Sequence, residues 1–386
     1  MKVAAEAIKL KAQGIDVIDF GAGEPDFPTP RHISEAAKAA IDANFTKYTT
    51  NSGTEDLKRA VAARYRTDYG VEYATNEIII TAGGKQALYN AVMVLFGPGD
   101  EVITHMPGWP TLVEQIKLAE ATPVIVRTHA EEGFSLRADT ILAAVTARTR
   151  GIIINSPGNP TGALISEGEM RKVAEEAARR GIWVLVDLCY EKLIYDPVPH
   201  NLAGILASTM RDRAVLCGSA SKAYAMTGWR CGWMMAPAAV VSAANALQSH
   251  STSNVCSITQ RAVQAGLTGP QDCVTEMLDE YRRRRDQVCE WLGAEPRIRM
   301  VKPAGAFYLF PDVSDFLSPD GIRTTAELAQ ALLDEARVAV TPGEAFDTPG
   351  FIRISYATSM DDLERGTTRI LEFVRALETR GAAARI

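Results

Sequence analysis

The chain has 386 residues, 47% hydrophobic and 23% charged, which describes a folded protein of one large or two medium domains and excludes a disordered or fibrous chain. A net charge of −6 argues against nucleic acid as the main partner, because a phosphate backbone wants a basic face. No stretch reaches the ~18 consecutive apolar residues of a membrane span, and the opening MKVAAEAIKL is too short and too charged for a signal peptide.

From residue 77 onward, apolar runs of strand length alternate with amphipathic helical stretches, which predicts an α/β fold with a mainly parallel sheet. The expected strands are 77–81 (EIIIT), 101–104, 123–126, 151–155 (GIIIN), 183–187 (WVLVD), 214–218 and 232–235. Several are near-continuous apolar runs, as befits strands covered on both faces. Helices are expected at 84–96 and at 167–180, the second rich in Ala, Glu and Arg. The character changes near residue 280. YRRRRDQVCEW at 281–291 reads as part of a long helix with a solvated basic face. Shorter signals follow: 306–310, a helix at 326–336, strands at 338–341 and 351–355, and a last helix from Met360. The expected organisation is a large domain over 46–280 and a smaller α+β domain from 1–45 and 281–386.

The six cysteines are Cys189, Cys217, Cys231, Cys256, Cys273 and Cys289. They form no C-x-x-C pair and have no histidine cluster beside them. No metal is expected, and reduced thiols in a cytoplasmic protein are.

Four segments carry candidate chemistry. In 78–88 (IIITAGGKQAL), strand, Gly-Gly and helix start make an anion site of free backbone N–H groups, and Gly83 and Gly84 let the backbone approach a phosphate. In 152–162 (IIINSPGNPTG), a buried strand runs into a Pro/Gly turn holding Asn159; an ordinary strand-to-helix loop reads the same way. In 183–190 (WVLVDLCY), Asp187 ends an apolar strand, where open α/β sheets place their ligands. It wants a cationic partner there, although a strand-end Asp also serves as a helix cap. In 214–233 (AVLCGSASKAYAMTGWRCGW), small residues precede Lys222, and Ser219 and Arg230 flank it; alone, such a loop is unremarkable. Together they supply what pyridoxal 5'-phosphate needs: an amine for a Schiff base, a phosphate site, and a carboxylate that holds the protonated ring nitrogen.

The order, spacing and strand-end context of these segments resemble the class I/II aminotransferases, the aspartate aminotransferase family of pyridoxal-phosphate (PLP) fold type I, and its bacterial branch in particular. The resemblance runs from FGAGEPDF at 20–27 to RISY at 353–356. It implies Lys222 as the Schiff-base lysine, Asp187 at the ring nitrogen, and Asn159 and Tyr190 at the ring oxygen. It implies Trp109 stacked on the ring, with Gly84, Lys85, Ser219 and Arg230 around the phosphate. Arg353 would clamp the substrate α-carboxylate, near Gly21. Tyr48 resembles the tyrosine that reaches the neighbouring subunit's phosphate, which implies a homodimer with shared active sites. Lys85 stands where the branch recognises an acidic side chain. The implied reaction moves an amino group between an amino acid and a 2-oxo acid, with aspartate, glutamate or 2-oxoglutarate favoured.

The chain departs from the family at three places. The strand-end motif D-E-x-Y is Asp187-Leu188-Cys189-Tyr190. Gly108 and Pro110 flank Trp109, which opens space for a bulkier substrate. The chain also starts about one short segment late, so a more open site is expected. These changes support a second reading: elimination, substitution or ring formation on an unusual amino acid such as S-adenosylmethionine. Gly21-Ala22-Gly23 starts a dinucleotide fingerprint but lacks its third glycine and βαβ context. A ligand-sensing transcription regulator of this fold needs a DNA-binding domain, for which the start at the aminotransferase arm leaves no room.

Overall fold

The computed structural model describes residues 2–319 and 321–383. Twelve strands run through them. Strand β1 (Ile18–Asp19) comes first, then β2 (Ile78–Thr81), β3 (Glu101–Met106), β4 (Thr122–Arg127), β5 (Thr149–Asn155), β6 (Trp183–Asp187), β7 (Ala214–Ser219) and β8 (Gly232–Met235). The last four are β9 (Tyr308–Leu309), β10 (Val338–Ala339), β11 (Thr341–Pro342) and β12 (Ile352–Ser355).

Strands β2 to β8 form one seven-stranded sheet in the order β2-β8-β7-β6-β5-β3-β4. Only β8 runs against its neighbours β2 and β7; the other pairs are parallel. Both faces are covered, and successive side chains divide between them. Ile78, Ile80, Ile152, Ile154, Val184 and Val186 join the core on one face, while Ile79, Ile153 and Leu185 join the core on the other. Strand side chains alternate in just this way, which is why these strands carry no polar-out pattern in the sequence. Each fully buried isoleucine contributes about 1.5–3 kcal/mol.

The flanking helices start and stop for local reasons. Helix Glu167–Arg180 begins at Ser166, whose side chain accepts from the Glu169 N–H at 3.2 Å. Acidic Glu167 and Glu169 sit in its first turn, Arg179 and Arg180 in its last, and Gly181 ends it at φ 66°. Side-chain cap, dipole complement and left-handed glycine all agree on its limits.

A separate core gathers Ile18 and Phe20, residues of β9, β10 and β12, the long helix Asp272–Gly293 and the helix Met360–Ala383. Tyr190, Leu193 and Tyr195, from the turn after β6, also enter it. Conversely, Ile33 and Ala37 of helix Arg31–Asp42 pack with the sheet core.

The basic run at 281–291 departs from the expected solvated face. Arg284 and Arg285 are 5% and 2% exposed. Arg284 pairs with Asp26 at 2.7 Å and Glu280 at 2.8 Å, while Arg285 pairs with Asp286 at 2.8 Å and donates to the Pro303 carbonyl at 3.1 Å. Buried guanidinium groups persist only when paired in this way. The run therefore ties the long helix to the N-terminal segment and to the loop ahead of β9.

Candidate active site

The site lies at the carboxyl ends of the parallel strands, the usual ligand position in an open α/β sheet. A fork in the sheet opens it. Strands β3 and β5 pair from Glu101/Thr149 to Ile103/Ile152. Beyond that, β3 continues along β4 to Met106 and β5 along β6 to Asn155. The His105 imidazole takes up the parted edge: its Nε2 accepts the Asn155 N–H at 3.2 Å, and the ring also bonds the Pro107 carbonyl. Burial holds its pKa down at about 4, so it stays neutral. His105 thus brackets the loop that carries Trp109 to the loop that carries Asn159.

Asn155 extends the link. Its Oδ1 accepts the Asn159 N–H at 3.0 Å. Asn159 Oδ1 in turn accepts from Arg353 Nη1 at 3.0 Å, and Arg353 Nη2 donates to the Gly21 carbonyl at 2.8 Å. Arg353, from β12, is 8% exposed, and its Nε has no hydrogen-bond partner among the described residues. A buried guanidinium with a free donor suits an incoming carboxylate. The Arg353 guanidinium carbon lies 4.4 Å from the Tyr308 ring centre.

Asp187 is 3% exposed. Its Oδ1 accepts the Cys189 N–H at 3.0 Å. Burial pushes its carboxyl up to about 6, against weaker pulls from that N–H and from Lys222. A buried carboxylate without a salt-bridge partner is the group a ring cation would stabilise. Cys189 lines the same cavity, and burial pushes its thiol up to about 12, so it is a protonated wall. Leu188, where the family pattern has a carboxylate, is buried among the sheet-core side chains.

Lys222 sits on the short helix Ala220–Ala223 after β7. Its Nζ donates to the Gly23 carbonyl, and lies 5.9 Å from the Tyr190 ring centre. At the other end of the cavity, Gly84 starts helix Gly84–Leu95. Gly83 ahead of it has φ 84°, and a Cβ there would lie 2.5 Å from the Arg230 guanidinium. Only glycine lets the arginine and the helix start close on one point. Ser219 Oγ bonds Ser221 Oγ at 2.8 Å. Trp109 stands at the start of helix Pro110–Leu118, with Lys85 Nζ 5.0 Å from its ring centre.

These groups surround one cavity of about 490 Å³. It brings together Lys222, Asp187 and Tyr190 with Gly84, Lys85, Ser219 and Arg230, the residues expected around a phosphate, and with Trp109, Asn159 and Arg353. Gly21 joins through its carbonyl. Tyr48 does not: it is 92% exposed and outside this cavity. Three further contributors carry no expectation from the sequence, although Glu24 lies within FGAGEPDF. Tyr308 lines the cavity from β9, Glu24 accepts from the Thr227 hydroxyl at 2.8 Å on its rim, and His105 stands behind it. The donor set fits PLP: an amine, a buried unpaired carboxylate and a glycine–arginine anion cradle.

Such a site on a mainly parallel sheet of this order is that of a fold type I PLP-dependent enzyme. The sequence matches the family profile Aminotransferase class I and II over residues 15–370, and the chain belongs to that family, whose members use PLP. It is 40% identical to the aspartate aminotransferase of Bacillus sp. strain YM-2, over 97% of this chain and 96% of that protein. It is also 40% identical to the aspartate/prephenate aminotransferase of Cereibacter sphaeroides, over 97% and 95%. The crystal structure of the aspartate aminotransferase from Rhizobium meliloti superposes with a TM-score of 0.90 at 40% identity, covering 96% of this chain and 94% of that one.

Proposed function

We propose that the chain is a PLP-dependent transaminase that moves an amino group between an amino acid and a 2-oxo acid, one of them with an acidic side chain. The observation that carries this reading is the convergence of Lys222, Asp187 and Arg353 on one cavity: an amine to move a proton, a carboxylate to hold a ring cation, and a guanidinium to hold the substrate.

PLP, when bound, supplies an aldehyde carbon and a ring that accepts an electron pair. The protein's own groups do the rest. Gly84, Arg230 and Ser219 hold the phosphate, and Trp109 covers a ring face. Asp187 keeps the ring nitrogen protonated by pairing with it. Arg353 binds the α-carboxylate through its planar fork, with Asn159 and the Gly21 carbonyl fixing the guanidinium plane. Fixing the carboxylate aims the Cα–H bond, and Lys222 Nζ takes that proton and returns it. Lys85, at the cavity mouth, meets the acidic side chain.

We also propose a homodimer. Tyr48, 92% exposed, is free to serve a partner's phosphate site. Two further cavities, of about 640 and 550 Å³, open on the surface beside Arg230 and Thr252 and would be covered by a second copy. We take the two cores as those of two domains, 46–280 and 1–45 with 281–386, with helix Arg31–Asp42 packing across the division. Six unpaired cysteines support a reducing compartment, the cytoplasm.

The test is spectroscopic. Aspartate or glutamate alone should bleach the visible band of the holoenzyme, and 2-oxoglutarate should restore it. A band that returns without any 2-oxo acid would reject transamination in favour of elimination.

A further inference from the structure

Tyr308 belongs to β9 and is 1% exposed. Its hydroxyl lies 2.8 Å from the hydroxyl of Tyr190. Neither hydroxyl has another hydrogen-bond partner among the described residues. The two rings meet edge to face at 5.9 Å, and Phe307 packs 5.5 Å from Tyr190 and 4.8 Å from Tyr308. The close approach of Gly23, where a Cβ would lie 3.1 Å from the Tyr308 hydroxyl, closes the remaining side.

Each phenol carries one proton and accepts on its oxygen. In the role that the family resemblance implies for it, at the ring oxygen, Tyr190 gives its proton to the phenolic oxygen of the bound cofactor. Its own oxygen then has only Tyr308 to receive from, and the 2.8 Å line between the hydroxyls must carry the Tyr308 proton. If Tyr190 instead donated to Tyr308, the cofactor oxygen would lose one of its two donors and keep only Asn159.

We propose that Tyr308 is a positioning residue that commits the Tyr190 proton to the cofactor's phenolic oxygen. A chain of two donors is stronger than one, because each bond polarises the next. A well-bonded oxygen keeps its negative charge more readily, and holds the proton on the neighbouring Schiff-base nitrogen less tightly. Tyr308 therefore lowers the pH at which that nitrogen loses its proton. The inference rests on the reading of Tyr190 given above and adds a residue to it.

Other charged or titratable groups face the pair. Asp187 ends β6, Cys189 comes from the turn that carries Tyr190, Arg353 from β12, and Lys222 from the helix after β7. Glu24, Lys85 and Arg230 stand on the cavity wall. The substitutions below alter none of them, so a change in the titration belongs to the two tyrosines.

The experiment follows the pH midpoint of the visible band in holoenzyme without substrate, for the wild type, Y190F, Y308F and the double variant. Y308F removes one oxygen and leaves the ring in its packing. Y190F should raise the midpoint. Y308F should raise it by about half a unit to one unit, as for the loss of one supporting hydrogen bond. The double variant should match Y190F alone, because Tyr308 acts only through Tyr190. A purely structural Tyr308 would lower thermal stability without moving the midpoint, and that result overturns the inference. Additive shifts in the double variant overturn it as well, because Tyr308 would then act on the cofactor by another route. If Y190F leaves the midpoint in place, the reading of Tyr190 itself falls, and the inference with it.

Discussion

Arg353 Nη1 donates to Asn159 Oδ1 at 3.0 Å, joining a β12 residue to the loop after β5 across 194 positions of sequence. The guanidinium is thereby held in one plane before any substrate arrives, and its Nε is left free. Replacing Arg353 by Lys keeps the charge and loses the fork. The KM values of amino acid and 2-oxo acid should rise together, with kcat/KM falling about 100-fold, as for loss of a charged hydrogen-bond pair worth 2–3 kcal/mol. Steady-state kinetics on both half-reactions check this; an unchanged KM would reject the clamp.

Asp187 gives a pH signature in the cofactor-free protein. Burial raises its folded pKa to about 6, against about 3.9 in an unfolded chain. A raised folded pKa means stability that is present below the unfolded value and lost as pH rises through the folded one. The loss should run from about pH 4 to pH 6 and amount to about 3 kcal/mol. His105, held down at about 4, works in the opposite direction. The difference between wild type and Asp187→Asn therefore isolates the carboxyl: thermal melts should show the variant gaining on the wild type as pH rises. In the holoenzyme, where the ring cation pairs with Asp187, the same variant should instead release cofactor faster.

Lys85 lies against Trp109 at the cavity mouth. Lys85→Ala should lower kcat/KM for aspartate and glutamate about 10- to 100-fold while leaving alanine nearly unchanged, since only the acidic side chain loses a charged partner. Equal losses on all three would place Lys85 with the phosphate instead.

Tyr48 and Lys222 test the shared site. In mixed dimers of Tyr48→Ala and Lys222→Ala, one site would carry both lesions and the other neither. Mixing the inactive Lys222→Ala with the weakened Tyr48→Ala should restore about a quarter of wild-type activity. Activity no higher than the sum of the parents would mean that each chain completes its own site.

The strands were legible because their apolar runs are unbroken; 183–187 and 232–235 match β6 and β8 residue for residue. Elsewhere tertiary pairing extends or trims the edges, as where β4 gains Thr122 and Arg127 by pairing with β3. Helix 167–180 was legible from its run of Ala, Glu and Arg, and its cap and charge order in the structure set the same limits. The buried arginines were not. Nothing in a run of four identical side chains says which two will meet Asp26 and Pro303 across more than a dozen residues of sequence. Lys222, Asp187 and Arg353 stood in motifs whose chemistry is specific. Tyr308 stood in a run that reads as a strand, and its pairing with Tyr190 depends on the turn after β6 entering the core of β9. His105 fell just past the expected strand 101–104, and a fork in a sheet leaves no periodicity that would mark it.

That fork bears on how the molecule can be redesigned. The crevice is held open from within the sheet, by a neutral ring that ties the roots of two loops. Changes at the rim, at Glu24 or Thr227, would leave that ring and the two loop roots in place. A change at residue 105 would re-aim both loops together. The rim and the seat of the reaction are thus separately adjustable, and the part that keeps them separate sits behind both.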